Sequence, residues 1–286
     1  MAKVRATVTP SAAPVGDDRW RIPDALWERI ELLLPPRPAH PLGCHNPRVP
    51  DRKAMDAIFF VLRTGCHWNA LNATAICSSS SAHRRFQEWT SAGVFVTLWA
   101  KGLEQYDQLK GLDWRWLSMD GAMTKAPLGG ERTGKNPTDR GKQGAKRSLL
   151  TEANGVPVGL AVDGANRHDK KRVEATLESI PVDRPEASEE KPQGMCLDKG
   201  YDYDDTRELV QEFGFTAHVR ARGEEAQALK REAGIKARRW VVERTHSWMN
   251  RFRRILIRWE KKVENYFGML HLVCAYITYR CSRLLG

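Results

Sequence analysis

Asp120, Asp198 and Glu243 are the side chains whose types and spacing can do chemistry together in this 286-residue chain. All three are carboxylates. Gathered in one place, they repel one another unless cations stand between them. Hard oxygen donors of this kind suit Mg²⁺ or Mn²⁺. Two such ions, roughly 3.5–4 Å apart, can activate a water or a 3′-hydroxyl and stabilise the leaving oxygen of a phosphodiester. That chemistry needs no Ser, His or Cys nucleophile. Each acid alone has a plainer reading. Asp120 before Gly121 is a common turn pair, and Glu243 beside Arg239 and Arg244 is a common surface ion pair. Asp139, Asp163, Asp169, Asp202, Asp204 and Asp205 are rivals. Asp163 is the strongest of these because it ends a strand, yet that strand is expected at a sheet edge, far from the centre.

The case for the three acids rests on the elements that carry them. Trp114 to Asp120 reads as a strand. Residues 121–145 hold six glycines among basic residues and read as a long loop. Lys146 to Thr151 and Val156 to Val162 read as strands joined by the turn Ala153-Asn154-Gly155. Then come a helix from Asp169 to Ser179, a strand from Met195 to Asp198, a helix from Asp204 to Phe213 and a strand from Phe215 to Arg220. Two helices follow, Lys236 to about Arg254 and Val263 to about Leu285. Three antiparallel strands, then two added through helical crossovers, give a mixed sheet. Right-handed crossovers set both added strands beside the first. This is the ribonuclease H-like arrangement, an α/β fold with helices flanking the sheet. In it Asp120 and Asp198 end neighbouring strands, and the helix bearing Glu243 packs across those ends.

The first part of the chain is helical. Residues 1–16 read as a loose tail. Pro23-Asp24 opens a helix from Ala25 to Leu34, and six prolines in 35–50 form a linker. Met55, Ile58, Phe59 and Leu62 mark the buried face of a helix that Gly65 ends. Ser78 to Ser81 offer N-caps for a helix through Trp89. Gly93 separates it from another, Val94 to about Tyr106. A helix, a turn and a second helix bearing His83, Arg84, Arg85 and Gln87 resemble a helix-turn-helix reader of DNA. A plain three-helix bundle gives the same pattern. The expected division is a tail (1–16), a helical helix-turn-helix-like domain (17–110) and an α/β domain (111–286).

Charge points to a polyanionic partner. Lys and Arg number 46 against 35 Asp and Glu, a net of +11. Residues 230–262 alone carry twelve basic and three acidic residues, and 129–147 carry six and two. Both stretches read as surfaces for phosphates or as solvated basic faces. The loop 129–147 lacks the Walker pattern, which argues against a nucleotide cofactor. Of six cysteines none forms a C-x-x-C pair, and the adjacent pairs Cys44-His45 and Cys66-His67 are poorly spaced to chelate one metal. No apolar run reaches the ~20 residues of a membrane span. A protein of the reducing cytoplasm is expected.

Several separated motifs, in order, resemble the bacterial insertion-sequence transposases of the DDE type, in the group like insertion sequence five. They are Met119-Asp120-Gly121, then Gly155-Val156-Pro157-Val158-Gly159 leading to Asn166-Arg167-His168-Asp169. Next come Leu197-Asp198-Lys199-Gly200-Tyr201-Asp202 and Arg239-Trp240-Val241-Val242-Glu243-Arg244. Leu62-Arg63-Thr64-Gly65-Cys66 and Arg85-Phe86-Gln87-Glu88-Trp89 look like the leading domain of the same group. The resemblance runs from about residue 20 to 285. It implies that Asp120, Asp198 and Glu243 are the metal-binding triad, with two Mg²⁺ or Mn²⁺ ions. The implied activity is binding of terminal inverted repeats, cutting of the element's ends and joining of them to target DNA, by a homo-oligomer assembled on DNA. Related patterns place a Tyr and a Lys seven residues either side of the Glu. Here Lys236 and Asn250 stand there, which leaves Arg251 or Arg254 as substitutes for the Lys.

Helical spacing puts Arg239, Glu243, His246, Ser247, Asn250 and Arg254 on one side. With Arg84, Arg85, Lys135, Arg140, Lys142, Arg244 and Arg251, the cations and polar groups of this set are the expected DNA contacts. Trp248 reads as core, with base stacking the alternative. Two other functions fit the same residues: a metal-dependent nuclease without strand transfer, and a DNA-binding remnant of a decayed transposase.

Overall fold

The computed structural model describes residues 20–36, 48–219 and 240–284. The expected tail, Cys44, Lys236 and Arg239 lie outside the described residues. Four helices come first: α1 (Asp24–Glu31), α2 (Asp51–Thr64), α3 (Ser79–Ser91) and α4 (Val94–Lys110). The Ser78 hydroxyl caps α3 by accepting from the Ser81 amide. Gly65 ends α2 in the left-handed region, at φ 70°. A Cβ there would lie 3.0 Å from the backbone of Arg253, so this glycine also admits the C-terminal segment.

The strands are β1 (Trp116–Lys125), β2 (Gly134–Lys135), β3 (Gln143–Thr151), β4 (Pro157–Gly164), β5 (Gly194–Leu197) and β6 (Thr216–Val219). The sheet runs β4-β3-β1-β5-β6, and the two-residue β2 shares the outer edge of β3 with β4. β1, β3 and β4 are antiparallel, whereas β5 lies parallel to β1 and β6 parallel to β5. The strand order is the one expected from the hairpin and the two crossovers. Around it stand α5 (Val173–Glu178), α6 (Asp204–Glu212), α7 (Trp240–Met249), α8 (Arg253–Leu256) and α9 (Val263–Leu284).

Several boundaries differ from the expectation: β5 ends at Leu197, one residue short of Asp198, α1 ends at Glu31, and Asp169–Arg172 form a 3₁₀ turn before the helix that starts at Val173. β1 does not end at Asp120 but continues to Lys125, because β3 pairs with it through Lys125 and Gly144. The loop expected at 121–145 shrinks accordingly. The helix expected to reach Arg254 stops at Met249, and Arg254 belongs to the separate α8. The side shared by Glu243 and Arg254 therefore does not exist.

One apolar core runs through both halves of the chain. Trp99 of α4 donates its indole N–H to the Pro157 carbonyl of β4 at 3.0 Å. Phe59 of α2 meets Tyr276 of α9 and Phe252 at centroid distances of 5.2 and 6.4 Å. Cutting the chain after residue 110 would expose these faces to water. The fragment 111–286 is expected to lack a cooperative thermal transition, and a sharp melting curve would show that it folds alone. Among the described residues, no helix is long and apolar enough to cross a membrane.

Candidate active site

Ser118 and Cys196 are the last paired residues of β1 and β5. Two residues further along each strand come Asp120 and Asp198, near enough for Asp198 to act electrostatically on Asp120, where β5 has ended. Asp120 accepts a hydrogen bond from the Gly121 amide at 2.8 Å. Asp198 opens a short 3₁₀ turn, and its carboxylate accepts from the Gly200 amide at 2.8 Å.

Glu243 comes from α7, which is docked on the sheet at several points. Arg244 donates to the Asn154 carbonyl at 2.5 Å and the Thr245 hydroxyl to the Gly155 carbonyl at 2.7 Å. Gly155, at φ 87°, has to be glycine twice over: a Cβ would stand 2.7 Å from the Arg244 guanidinium and 2.9 Å from the Thr245 hydroxyl. His246 lies with Nε2 3.4 Å from the Asp120 carbonyl. Past the end of α7, Asn250 accepts from the buried Arg147 of β3 at 2.5 Å. These ties hold Glu243 near enough to act electrostatically on Asp120.

The electrostatics register the convergence. Burial pushes the Asp120 carboxyl up to about 6; Asp198, Glu243 and Asp169 push the same way, against the Gly121 amide. Burial also pushes the Tyr201 hydroxyl well up, with Asp169, Asp120 and Asp198 adding to it. That hydroxyl has no hydrogen-bond partner among the described residues. Of the rival acids, then, Asp169 stands at the site. Asp163 of β4 is paired with Lys146 of β3, with Arg167 4.0 Å away. The chain returns from the edge strand β4 towards the centre through Asn166-Arg167-His168-Asp169, and the pattern of strand ends does not reveal that return. Among the described residues, no three Asp, Glu, His or Cys side chains are grouped closely enough to hold one metal ion.

Several expected DNA contacts are structural. Arg85 is buried and pairs with Asp51 at 2.8 Å. Arg254 is buried and pairs with Glu260 at 2.7 Å, while also donating to the Cys66 carbonyl at 3.0 Å. His246 is buried, and desolvation with the nearby Arg147 pushes its imidazole down to about 3. Counting charge along the sequence does not reveal such burial. Arg244 is half-buried between two indoles, 4.5 Å from the centroid of Trp240 and 4.7 Å from that of Trp248. Asn250 is exposed, although its carbonyl serves Arg147. Arg84, Lys135, Arg140, Lys142 and Arg251 are exposed. The basic loop is tethered at its start: buried Arg258 donates to the Glu131 and Arg132 carbonyls at 2.5 and 3.1 Å.

Three antiparallel strands with two parallel strands added beside the first, and α7 packed over β1 and β3, define a ribonuclease H-like α/β domain. Comparison with known proteins narrows the class. Residues 115–278 match the family "Transposase DDE domain", and residues 22–99 match "Putative transposase of IS4/5 family". The chain belongs to the DDE-domain transposases, enzymes of nucleotidyl transfer. It is 33% identical over 157 residues to "Putative transposase for insertion sequence element IS402" of Burkholderia cepacia, which is 54% of this chain and 72% of that one. It is also 33% identical over 118 residues to an uncharacterised 16.2 kDa protein of the same element and organism, 41% of this chain and 80% of that one. The solved catalytic domain of Mos1 transposase, with raltegravir and Mg, is 8% identical, with 66% of this chain and 92% of that one covered. Its TM-score is 0.28, too small a likeness to carry an argument.

Proposed function

We propose that this transposase cuts the ends of its own insertion element and joins them to target DNA, with Asp120, Asp198 and Glu243 holding two divalent cations. The reading rests on one observation: Asp120 and Asp198 sit together where β5 stops, and the acids around Asp120 add to burial in lifting its carboxyl to about 6. Such a surplus of negative charge favours cations. The donors fit Mg²⁺ or Mn²⁺ because all are carboxylate oxygens. When bound, these ions activate the attacking oxygen and stabilise the leaving one. The protein's own part is to hold the carboxylates: Gly121 and Gly200 amides orient Asp120 and Asp198, and the docked α7 presents Glu243. Exposed Arg84, Lys135, Arg140, Lys142 and Arg251, with Arg239, are the proposed phosphate contacts, and α3 is the proposed reader of the terminal repeats. An element has two ends and each chain has one acid site, so at least two copies act together on DNA, in the bacterial cytoplasm.

The test is incubation of the purified protein with DNA carrying its gene and flanks, Mg²⁺ and a supercoiled target, beside Glu243→Gln. Cuts at defined flanking repeats and joined products are expected, both absent from the variant. Cutting without joining would favour a nuclease. Retention of the flanks without cutting would favour a DNA-binding remnant.

A further inference from the structure

Lys146 and Arg172 are buried, at 5% and 2% exposure. Both make their ion pair with the same residue. Lys146 Nζ lies 3.0 Å from Asp169 Oδ2, and Arg172 holds Oδ1. Both also donate to the Arg167 carbonyl, at 3.4 and 3.2 Å. Two buried positive charges thus share one carboxylate within ion-pair distance, while Asp163 is the cross-strand neighbour of Lys146. The cluster presses against β1 beside Asp120: a Cβ on Gly121 would lie 2.5 Å from Asp169 Oδ1 and 3.3 Å from Lys146 Cδ. Arg172, Asp169, Asp120 and Asp198 all act on the buried Tyr201 hydroxyl, so Arg172 and the acid site are neighbours, and Lys146 reaches them through the shared Asp169. With both oxygens engaged, Asp169 is poorly placed to ligate a metal. A buried ammonium or guanidinium without a counter-charge is costly. Deprived of Asp169, these cations have Asp120 and Asp198 at the acid site, and Asp163 across the ladder from Lys146, as the other nearby anions.

We propose that Asp169 is a positioning residue that holds Lys146 and Arg172 in place, so that they do not neutralise the acids meant for metal. The inference rests on the metal-binding reading of Asp120, Asp198 and Glu243. It explains why glycine follows Asp120: any side chain there would dislodge the carboxylate.

The test measures the Mg²⁺ concentration giving half-maximal cleavage, and the Mn²⁺ concentration giving half the rise in melting temperature of DNA-free protein. Asp169→Asn is expected to raise both by about ten-fold, the effect of one misplaced charge beside the site. Lys146→Met removes one of the two cations and is expected to lower both by roughly three-fold. These opposite signs separate positioning from simple loss of stability. Asp169→Asn with unchanged metal requirements overturns the proposal, even if its melting temperature falls. Unchanged or raised requirements in Lys146→Met also overturn it. Should Asp169→Asn not fold, Lys146→Met decides alone. Asp120→Asn is run beside them: if it still cuts in Mg²⁺, the metal-binding reading itself fails. If it is inactive while Asp169→Asn behaves as wild type, only the inference about Asp169 fails.

Discussion

Asp120→Asn is expected to lose DNA cleavage by at least about a thousand-fold and to keep its affinity for DNA. A metal ion that activates one oxygen and stabilises another contributes several kcal/mol, and each ~1.4 kcal/mol is a factor of ten in rate. The DNA-facing cations are untouched, so retention of labelled DNA without Mg²⁺ is expected to match wild type. The same substitution has a second effect with a definite sign. The Asp120 carboxyl stands at about 6 in the folded protein, above its ordinary 3.8. The folded state therefore holds this proton more tightly than the unfolded chain does. Below about pH 4 both states are protonated and the native environment costs nothing. Between pH 4 and 6 the folded protein must ionise a group it prefers neutral, and above 6 the full cost is present, on the order of 3 kcal/mol. Without metal, Asp120→Asn is expected to melt higher than wild type at pH 7.5, with the gap closing towards pH 4. Added Mn²⁺ is expected to raise the melting temperature of wild type far more than that of the variant. A wild-type protein more stable than the variant at pH 7.5 without metal would contradict the buried, acid-crowded setting of Asp120.

The sheet order, and with it the meeting of Asp120 on β1 with Asp198 just past β5, were legible because their signals are local. Asp120-Gly121, Asp198 after a short apolar strand, and the turn Ala153-Asn154-Gly155 each announce themselves within a few residues. Crossover handedness then supplies the strand order. What stayed hidden depends on distant partners. The last five residues of β1 look like loop, with a glycine at 121, until β3 is there to pair with them. Asp169 looks like the start of a helix, because nothing in its neighbourhood says that Gly121 and Lys146 lie against it. Charge was the least faithful guide. Lys146 and Arg147 in the basic loop region, and Arg254 and Arg258 in the basic C-terminal stretch, are all buried. Net charge along a segment counts such residues as surface, so it overstates how much of the segment faces phosphate.

Arg254 makes that difference measurable. Sequence spacing sets it on a DNA-facing helix side; the structure buries it at the seam between the leading helices and the C-terminal segment. Its guanidinium pairs with Glu260 at 2.7 Å and donates to the Cys66 carbonyl at 3.0 Å. The other Glu260 oxygen is buried without a hydrogen-bond partner among the described residues, so Arg254 is the cation Glu260 pairs with directly, while buried Arg258 acts on it from farther away. Removing one member of a buried ion pair strands the other and typically costs 3–5 kcal/mol. In a chain of this size that lowers the melting temperature by on the order of 10 °C. Arg254→Met, which keeps bulk but not charge, is expected to show that fall. Its binding to DNA below the transition is expected to keep the wild-type salt dependence, because no phosphate contact has been lost. Unchanged melting with a shallower salt dependence would mean that Arg254 reaches DNA after all, and that the seam opens when the complex forms.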